Sequence, residues 1–273
     1  MAEPKIVTVL STKGGTGKTT QTYNFGLWLG TQGYKVLLID HDHQCNLTQT
    51  FGIFDASNTV AGIYDNEFKE PKPIHDVAEN VDLIAGSMHL GTIGETLINK
   101  TMKEFILFNW LDENYDRYNI SSYDYIILDS HPDLSIIQKN AVMISNHIMS
   151  FIEPSQYGGF DAMDSLGTRL EEFKNEARDP RTKDSYVTAD IFFVANKIAY
   201  NTSTSHEFRE TVAQMKDVVA EIPLREVFNR STIEHKMIFE YEKAPLTDGA
   251  KIFFAGVHTA YADMKAAIDK EEK

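Results

Sequence analysis

The sequence predicts an α/β protein: a doubly wound, mostly parallel β-sheet with helices on both faces. Three observations lead there. Short, nearly continuous apolar runs recur at 6–10, 36–39, 81–85, 125–128, 148–152 and 191–195. Each run is followed by polar or Gly/Pro punctuation and then by a longer amphipathic segment, and strands without polar alternation are those buried on both faces between helices. Of the 273 residues, 42% are hydrophobic and 24% charged, which supplies a full-sized core and excludes a disordered chain.

Taken in order, the run 6–10 reads as a first strand, followed at once by a Gly-rich loop and a helix-compatible stretch, 18–30. The second run ends in Asp40 and the fourth is followed by Asp129, so both place a carboxylate at a strand end. Three polar stretches, 112–122, 177–185 and 201–205, read as surface connections; the second holds Asp179-Pro180 and the third is rich in Ser, Thr and Asn. Near the C-terminus, 252–268 puts Phe253, Val257, Ala260, Tyr261, Met264 and Ile268 on one helical face, the pattern of core packing. The sequence has no solenoid or propeller repeat and no low-complexity tract, and no loop forces a boundary, so 1–273 is expected to be a single domain.

Composition narrows the function classes. One cysteine, Cys45, cannot form an intrachain disulfide, hold a structural zinc or supply an iron–sulfur cluster. The N-terminus lacks the order of a signal peptide and no apolar run approaches a membrane span, so a cytoplasmic protein is expected. A net charge of −14 argues against whole-surface attraction to nucleic acid or anionic lipid, so any such binding must be local. The stretch 201–273, with 10 basic against 13 acidic residues, is the least hostile to a polyanion.

Residues 13–20 read Lys-Gly-Gly-Thr-Gly-Lys-Thr-Thr between a strand and a helix. A polyphosphate needs converging backbone N–H groups, which Gly14, Gly15 and Gly17 permit. The helix N-terminus adds its positive end, Lys18 can reach the β- and γ-phosphates, and the Thr19 hydroxyl can ligate Mg2+. Thr12 stands where the general P-loop pattern opens with glycine.

Lys13-Gly14-Gly15-Thr16-Gly17-Lys18-Thr19 resembles the deviant Walker A loop of the ParA/MinD-type ATPases, which carry an extra signature lysine near the start of the loop. Two further segments agree in order and spacing. Asp40-His41-Asp42-His43-Gln44 looks like the family's Asp-x-Asp-Pro-Gln motif, and Leu128-Asp129-Ser130-His131-Pro132 like its Walker B strand, usually ending Asp-x-Pro-Pro. The likeness spans the whole chain and loses specificity after Pro154.

The resemblance implies a P-loop NTPase that binds ATP and Mg2+. Gly14, Gly15, Thr16, Gly17, Lys18, Thr19 and Thr20 would hold phosphates, and Thr19, Asp40 and Asp129 would hold the metal shell. Asp42 would orient the attacking water; the plainer alternative makes Asp40 or Asp42 a helix-capping carboxylate. Lys13 would cross an ATP-sandwich dimer to the partner's phosphates, as an arginine finger does; such a finger contributes about 10³–10⁵ in rate, roughly 4–7 kcal/mol of barrier. Asn196 and Pro223 fall where relatives contact or pass the adenine, although Asn196 reads equally as a turn residue satisfying its own backbone.

Departures from the pattern matter as well. His43 and His131 replace two family prolines, which frees φ and restores a backbone donor at each position. With His41 they fall at strand ends, yet Mg2+ prefers oxygen and two of them merely occupy loop positions, so no transition-metal site is expected. MinD-like relatives end in a basic amphipathic membrane helix; this chain ends Asp269-Lys270-Glu271-Glu272-Lys273, which disfavours a membrane partner. Partition-type relatives bind DNA through basic C-terminal residues. Arg209, Lys216, Arg225, Arg230, Lys236, Lys243 and Lys251 are available here but interspersed with acids, so a salt-bridged helix face is the rival reading.

The sequence therefore reads as a ParA-like partition ATPase without an N-terminal helix-turn-helix. It would dimerise on ATP, bind nonspecific DNA in a nucleoid-associated state, and be reset when a centromere-binding ParB-like partner stimulates hydrolysis. The alternatives are a MinD-like or cargo-positioning ATPase that switches on a protein scaffold, and a metabolic ATP-using enzyme of the same superfamily. Cys45 alone excludes the nitrogenase-reductase type.

Overall fold

The computed structural model describes residues 3–155, 159–200, 202–243 and 245–270, so Asn201, the Glu271-Glu272-Lys273 tail and the side chain of Lys243 lie outside the described residues. Its strands are β1 (Lys5–Val9), β2 (Val36–His41), β3 (Ile74–Ala78), β4 (Val81–Ile84), β5 (Tyr125–Ser130), β6 (His147–Ile152), β7 (Asp190–Ile198) and β8 (Val218–Pro223). They form one sheet in the order β3-β4-β2-β5-β1-β6-β7-β8, parallel throughout except where β3 runs antiparallel to β4. The helices are α1 (Lys18–Thr31), α2 (Asn46–Thr50), α3 (Ala61–Tyr64), α4 (Leu90–Leu97), α5 (Ile106–Glu113), α6 (Ile136–Ile144), α7 (Phe160–Glu176), α8 (Ser203–Val212), α9 (Val227–Ile233) and α10 (Asp248–Ile268).

The apolar runs follow from this layering. Successive side chains of a strand point to opposite faces, and here both faces are covered. Val36 and Leu38 of β2 join the core that α1 and α10 cover, while Leu37 and Ile39 join the core built by α3, α4, α5 and α6. A third cluster packs α7 and α8 against Ile148 and Ile152 of β6 and Phe193 and Ala195 of β7. The helical face expected for 252–268 is buried at all six positions, with Tyr261 and Met264 fully enclosed.

The structure adds two strands that the apolar runs do not announce. Both lie at sheet edges: β3 has no fully buried position and exposes His75 and Asp76, while β8 carries exposed Glu221 and ends on Pro223, a residue tolerated only where no ladder donor is needed. Two of the expected connections are partly helical. Asp112 and Glu113 close α5, and Ser203 opens α8, whose first turn is capped when the Ser205 N–H donates to the Thr202 hydroxyl at 3.2 Å. Among the described residues no helix is long and apolar enough to cross a membrane.

From β1 the chain moves to one side of the sheet, and from β5 it crosses to β6 on the other. The loop after β1 therefore sits at the carboxyl edge where strand order reverses, the crevice in which open α/β sheets bind ligands.

Candidate functional site

The loop between β1 and α1 wraps around buried Lys18, which is 7% exposed. Gly15 and Gly17 take φ of +82° and +94°, a region that strains any residue with a Cβ, whereas Gly14 does not have a positive φ. A Cβ on Gly17 would also meet the Asn196 amide at 2.5 Å. Lys18 Nζ donates to Ser11 Oγ at 3.0 Å, and Ser11 Oγ donates to the Lys13 carbonyl at 2.7 Å, so the loop is folded around its own lysine. Burial lowers the Lys18 pKa, opposed by the carboxylates of Asp129, Asp42 and Asp133.

The strands bring three carboxylates to this loop. Parallel pairing of β2 with β5 sets Asp40 level with Asp129, and both are completely buried. Asp40 Oδ2 accepts from the Thr48 N–H at 2.8 Å and the Thr48 hydroxyl at 2.6 Å, and Gly86 N–H donates to the same hydroxyl at 2.8 Å. Asp129 Oδ1 accepts from the Thr22 hydroxyl at 3.4 Å, and the nearby Thr19 side chain favours the ionised form of the same carboxyl group. Burial pushes Asp40 up to about 6; burial, and then the neighbouring Asp40 charge, pushes Asp129 up to about 7. Asp129 Oδ2 is buried without a hydrogen-bond partner. Two desolvated carboxylates side by side, one with an orphan oxygen, make with Thr19 an all-oxygen donor set that suits Mg2+.

Asp42 is buried, and its Oδ1 accepts from Gln44 N–H at 2.9 Å and lies 3.0 Å from His131 Nδ1. It is not a helix cap: α2 begins four residues on, with Cys45 at the cap position. The two family-proline replacements sit together, with the rings of His43 and His131 4.3 Å apart. His41 lies apart from that contact, fully buried with Nε2 at 2.7 Å from the Tyr64 hydroxyl. Burial drives its pKa down to about 3, so the ring is neutral.

Lys13 is 40% exposed and reaches Glu153 of its own chain, Nζ to Oε1 3.3 Å. Glu153 also pairs with Lys197, 3.7 Å away, whose Nζ donates to the Gly15 carbonyl and whose backbone sits at φ +57°. Asn196 is not a self-satisfied turn residue. Its Nδ2 donates to the Thr16 carbonyl at 2.7 Å, its Oδ1 accepts from Gln21, and Gln21 in turn accepts from Tyr261 at 2.8 Å. Gly17, Thr20, Asn196 and Pro223 line one cavity of about 420 Å³ beside the loop, together with Leu224 and Phe228.

The residues proposed for phosphate, metal and base thus converge on one crevice, in two parts: the phosphate loop with its carboxylates, and the adjoining cavity. Sequence reasoning missed Ser11, Thr48, Glu153 and Lys197. For Glu153 and Lys197 the available signal was a polar residue directly at or after the carboxyl end of an apolar strand, β6 or β7.

Of the basic candidates toward the C-terminus, four are held by acids. Arg209 pairs with Glu221 at 2.9 Å, Arg230 with Glu234 at 3.1 Å, Lys236 with Glu234 at 3.6 Å and Lys251 with Asp248 at 3.1 Å. Arg225 lies over the Phe253 ring, and Lys216 is exposed.

A family model described as an AAA domain matches residues 4–181. An uncharacterized protein of Methanocaldococcus jannaschii is 26% identical over 250 residues, covering 87% of this chain and 91% of that one. A probable plasmid-partitioning protein ParA of Thermus thermophilus is 25% identical over 218 residues, 78% of this chain; the match spans 64% of that protein, less than two thirds of its length. The crystal structure of a putative plasmid partition protein from Borrelia burgdorferi bound to AMPPNP superposes with a TM-score of 0.72 at 24% identity, covering 88% of this chain and 96% of that one, which establishes a shared fold.

Proposed function

Since the chain belongs to the AAA domain family and is a ParA/MinD-type P-loop ATPase, we propose that it binds ATP with Mg2+ in the crevice after β1, dimerises around the nucleotide and hydrolyses it as a timed partition switch. The observation that carries this reading is the orphan oxygen of buried Asp129, a residue level with Asp40 and close to buried Lys18. The reading treats the whole chain as one ATPase domain, in keeping with a sheet that takes in every described strand.

Bound Mg2+ would neutralise charge on the phosphates and order them for transfer. Thr19, Asp40 and Asp129 would hold the ion. Lys18 and the N–H groups of 14–20 would hold phosphate oxygens, with Lys18 exchanging its hydrogen bond to Ser11 for one to phosphate. Asp42 would accept a hydrogen bond from the attacking water. The cavity beside Asn196 and Pro223 would take the base, its apolar wall supplied by Leu224 and Phe228. Lys13 would leave Glu153 and cross to the partner's phosphates.

In the dimer the exposed cations of 201–273, Lys216 and Arg225 among them, would meet nonspecific DNA. A ParB-like centromere-binding protein would trigger hydrolysis, all in the cytoplasm. The four salt-bridged cations favour a second reading, an ATPase that positions cargo on a protein scaffold. One experiment separates the two. Asp42→Ala protein is incubated with random-sequence duplex DNA and ATP·Mg2+ or ADP across a salt series. The partition reading expects ATP-dependent binding whose log affinity falls with log salt by about 0.9 per phosphate contact. ATP-induced dimers that ignore DNA at every salt concentration would transfer the assignment to the scaffold reading, and absence of nucleotide binding would end both.

A further inference from the structure

A second ligand set lies at the mouth of the crevice, and the nucleotide chemistry above uses only one member of it. The β2–β5 pairing sets His41 level with Ser130, which brings the loops carrying His43 and His131 side by side. His131 Nδ1 is 3.0 Å and His43 Nδ1 3.7 Å from the same oxygen, Asp42 Oδ1. One donor atom from each residue lies within 4.8 Å of the other two, and among the described residues no other trio of His, Cys, Asp or Glu gathers so closely. The two rings are 33% and 29% exposed and open on a cleft of about 330 Å³ between α4 and the start of α6. Fully buried His41 lines the same cleft, and its Nδ1 has no hydrogen-bond partner.

We propose that Asp42, His43 and His131 form a site for a divalent cation of the zinc class, separate from the Mg2+ set of Thr19, Asp40 and Asp129. Two imidazoles and a carboxylate are a zinc-type donor set that leaves a fourth position for water. Mg2+ requires oxygen ligands in octahedral array and competes poorly for it. Zn–N and Zn–O bonds of about 2.0–2.1 Å place tetrahedral ligands roughly 3.4 Å apart, a spacing that the 3.0 and 3.7 Å separations from Asp42 Oδ1 already bracket, so small adjustments within a trio spanning no more than 4.8 Å complete it. The two partly exposed rings can supply them by side-chain rotation. Each imidazole then presents its Nδ1 lone pair with the proton on Nε2. The ion would occupy Asp42 Oδ1, so zinc should slow ATP turnover; this consequence, unlike the site, rests on the ATPase reading.

The test is calorimetric titration of Zn2+ into the full chain, without nucleotide and in excess Mg2+, alongside His43→Asn, His131→Asn and the double variant. One zinc per chain is expected, weakened about tenfold or more by each substitution. Co2+ serves as the spectroscopic probe, giving visible d–d bands that each variant alters. Circular dichroism and ATP binding report whether the variants are folded. Zinc binding that is absent from wild type, or equal in wild type and a folded double variant, overturns the site. Stoichiometric zinc that leaves wild-type turnover untouched overturns its hold on Asp42. A chain that binds zinc but never hydrolyses ATP in its absence upholds the site and overturns the ATPase reading.

Discussion

The Lys13–Glu153 pair makes the proposed dimerisation step measurable. In the proposed trans role Lys13 would have to leave Glu153 before crossing to a partner, so Glu153→Gln should favour the dimer by removing what the monomer loses. The two side chains are 40% and 19% exposed and their closest atoms are 3.3 Å apart, a solvent-screened pair contributing about 0.2–1 kcal/mol. A dimer breaks two such pairs, so the variant should gain about 0.4–2 kcal/mol, a roughly 2- to 30-fold tighter ATP-dependent dimer at RT of about 0.59 kcal/mol. Sedimentation velocity in ATP·Mg2+, with Asp42→Ala in both proteins to block turnover, reads this directly. The advantage should shrink with salt, because a surface pair is screened within about 10 Å at 0.1 M. Lys197→Met is the control, since Lys197 uses the other Glu153 oxygen at 3.7 Å. An unchanged or weaker dimer in Glu153→Gln would refute the idea that Lys13 is held in cis and released.

Two further outcomes test the carboxylate framework and the far edge of the sheet. In Gly86→Ala the new Cβ would fall 2.7 Å from the Asp40 carboxyl group, so the variant should lose about 1–3 kcal/mol in urea melts together with most ATP turnover; wild-type values for both would show that Asp40 has room to move. Against desolvation, which raises it, hydrogen bonds from Tyr123 at 2.5 Å, His75 at 2.7 Å and the Asp76 N–H at 2.9 Å hold Asp82 below the usual carboxylate pKa. A carboxylate lowered on folding stabilises above its unfolded pKa of about 3.9 and ceases to as pH falls through the folded value. Asp82→Asn should therefore cost about 1–2 kcal/mol at neutral pH and progressively less as pH falls below about 3.9, and a penalty that stays constant as pH is lowered through that range would refute the assignment.

The parts legible in the sequence are those set by local pattern. Six interior strands declare themselves because burial on both faces demands an unbroken apolar run, whereas β3 and β8 at the edges need none. The phosphate loop and the strand-end Asp40 and Asp129 are legible because close phosphate approach constrains residue type at fixed spacing. Glu153, Thr48 and Ser11 are not, because what selects them is convergence of distant segments. The histidines show the same limit. Three at strand ends are visible in the sequence, but only the β2–β5 register gathers His43 and His131 on Asp42 while His41 is buried on Tyr64. Asn196 reads evenly as turn or ligand until Thr16 and Gln21 are seen holding it.

The place of β1 in the middle of the sheet bears on how the protein is made. Its first residue pairs with Tyr125 and its centre with His147, about 120 and 140 positions further along the chain. At a synthesis rate of about 5–20 residues per second, the segment carrying the phosphate loop waits roughly 6–24 s on the ribosome before its first neighbour exists. During that interval only β2, β3 and β4 can assemble with one another. A nascent chain interrupted before β5 carries all of residues 13–20 without either neighbour of β1, so aborted synthesis should leave fragments that cannot hold nucleotide.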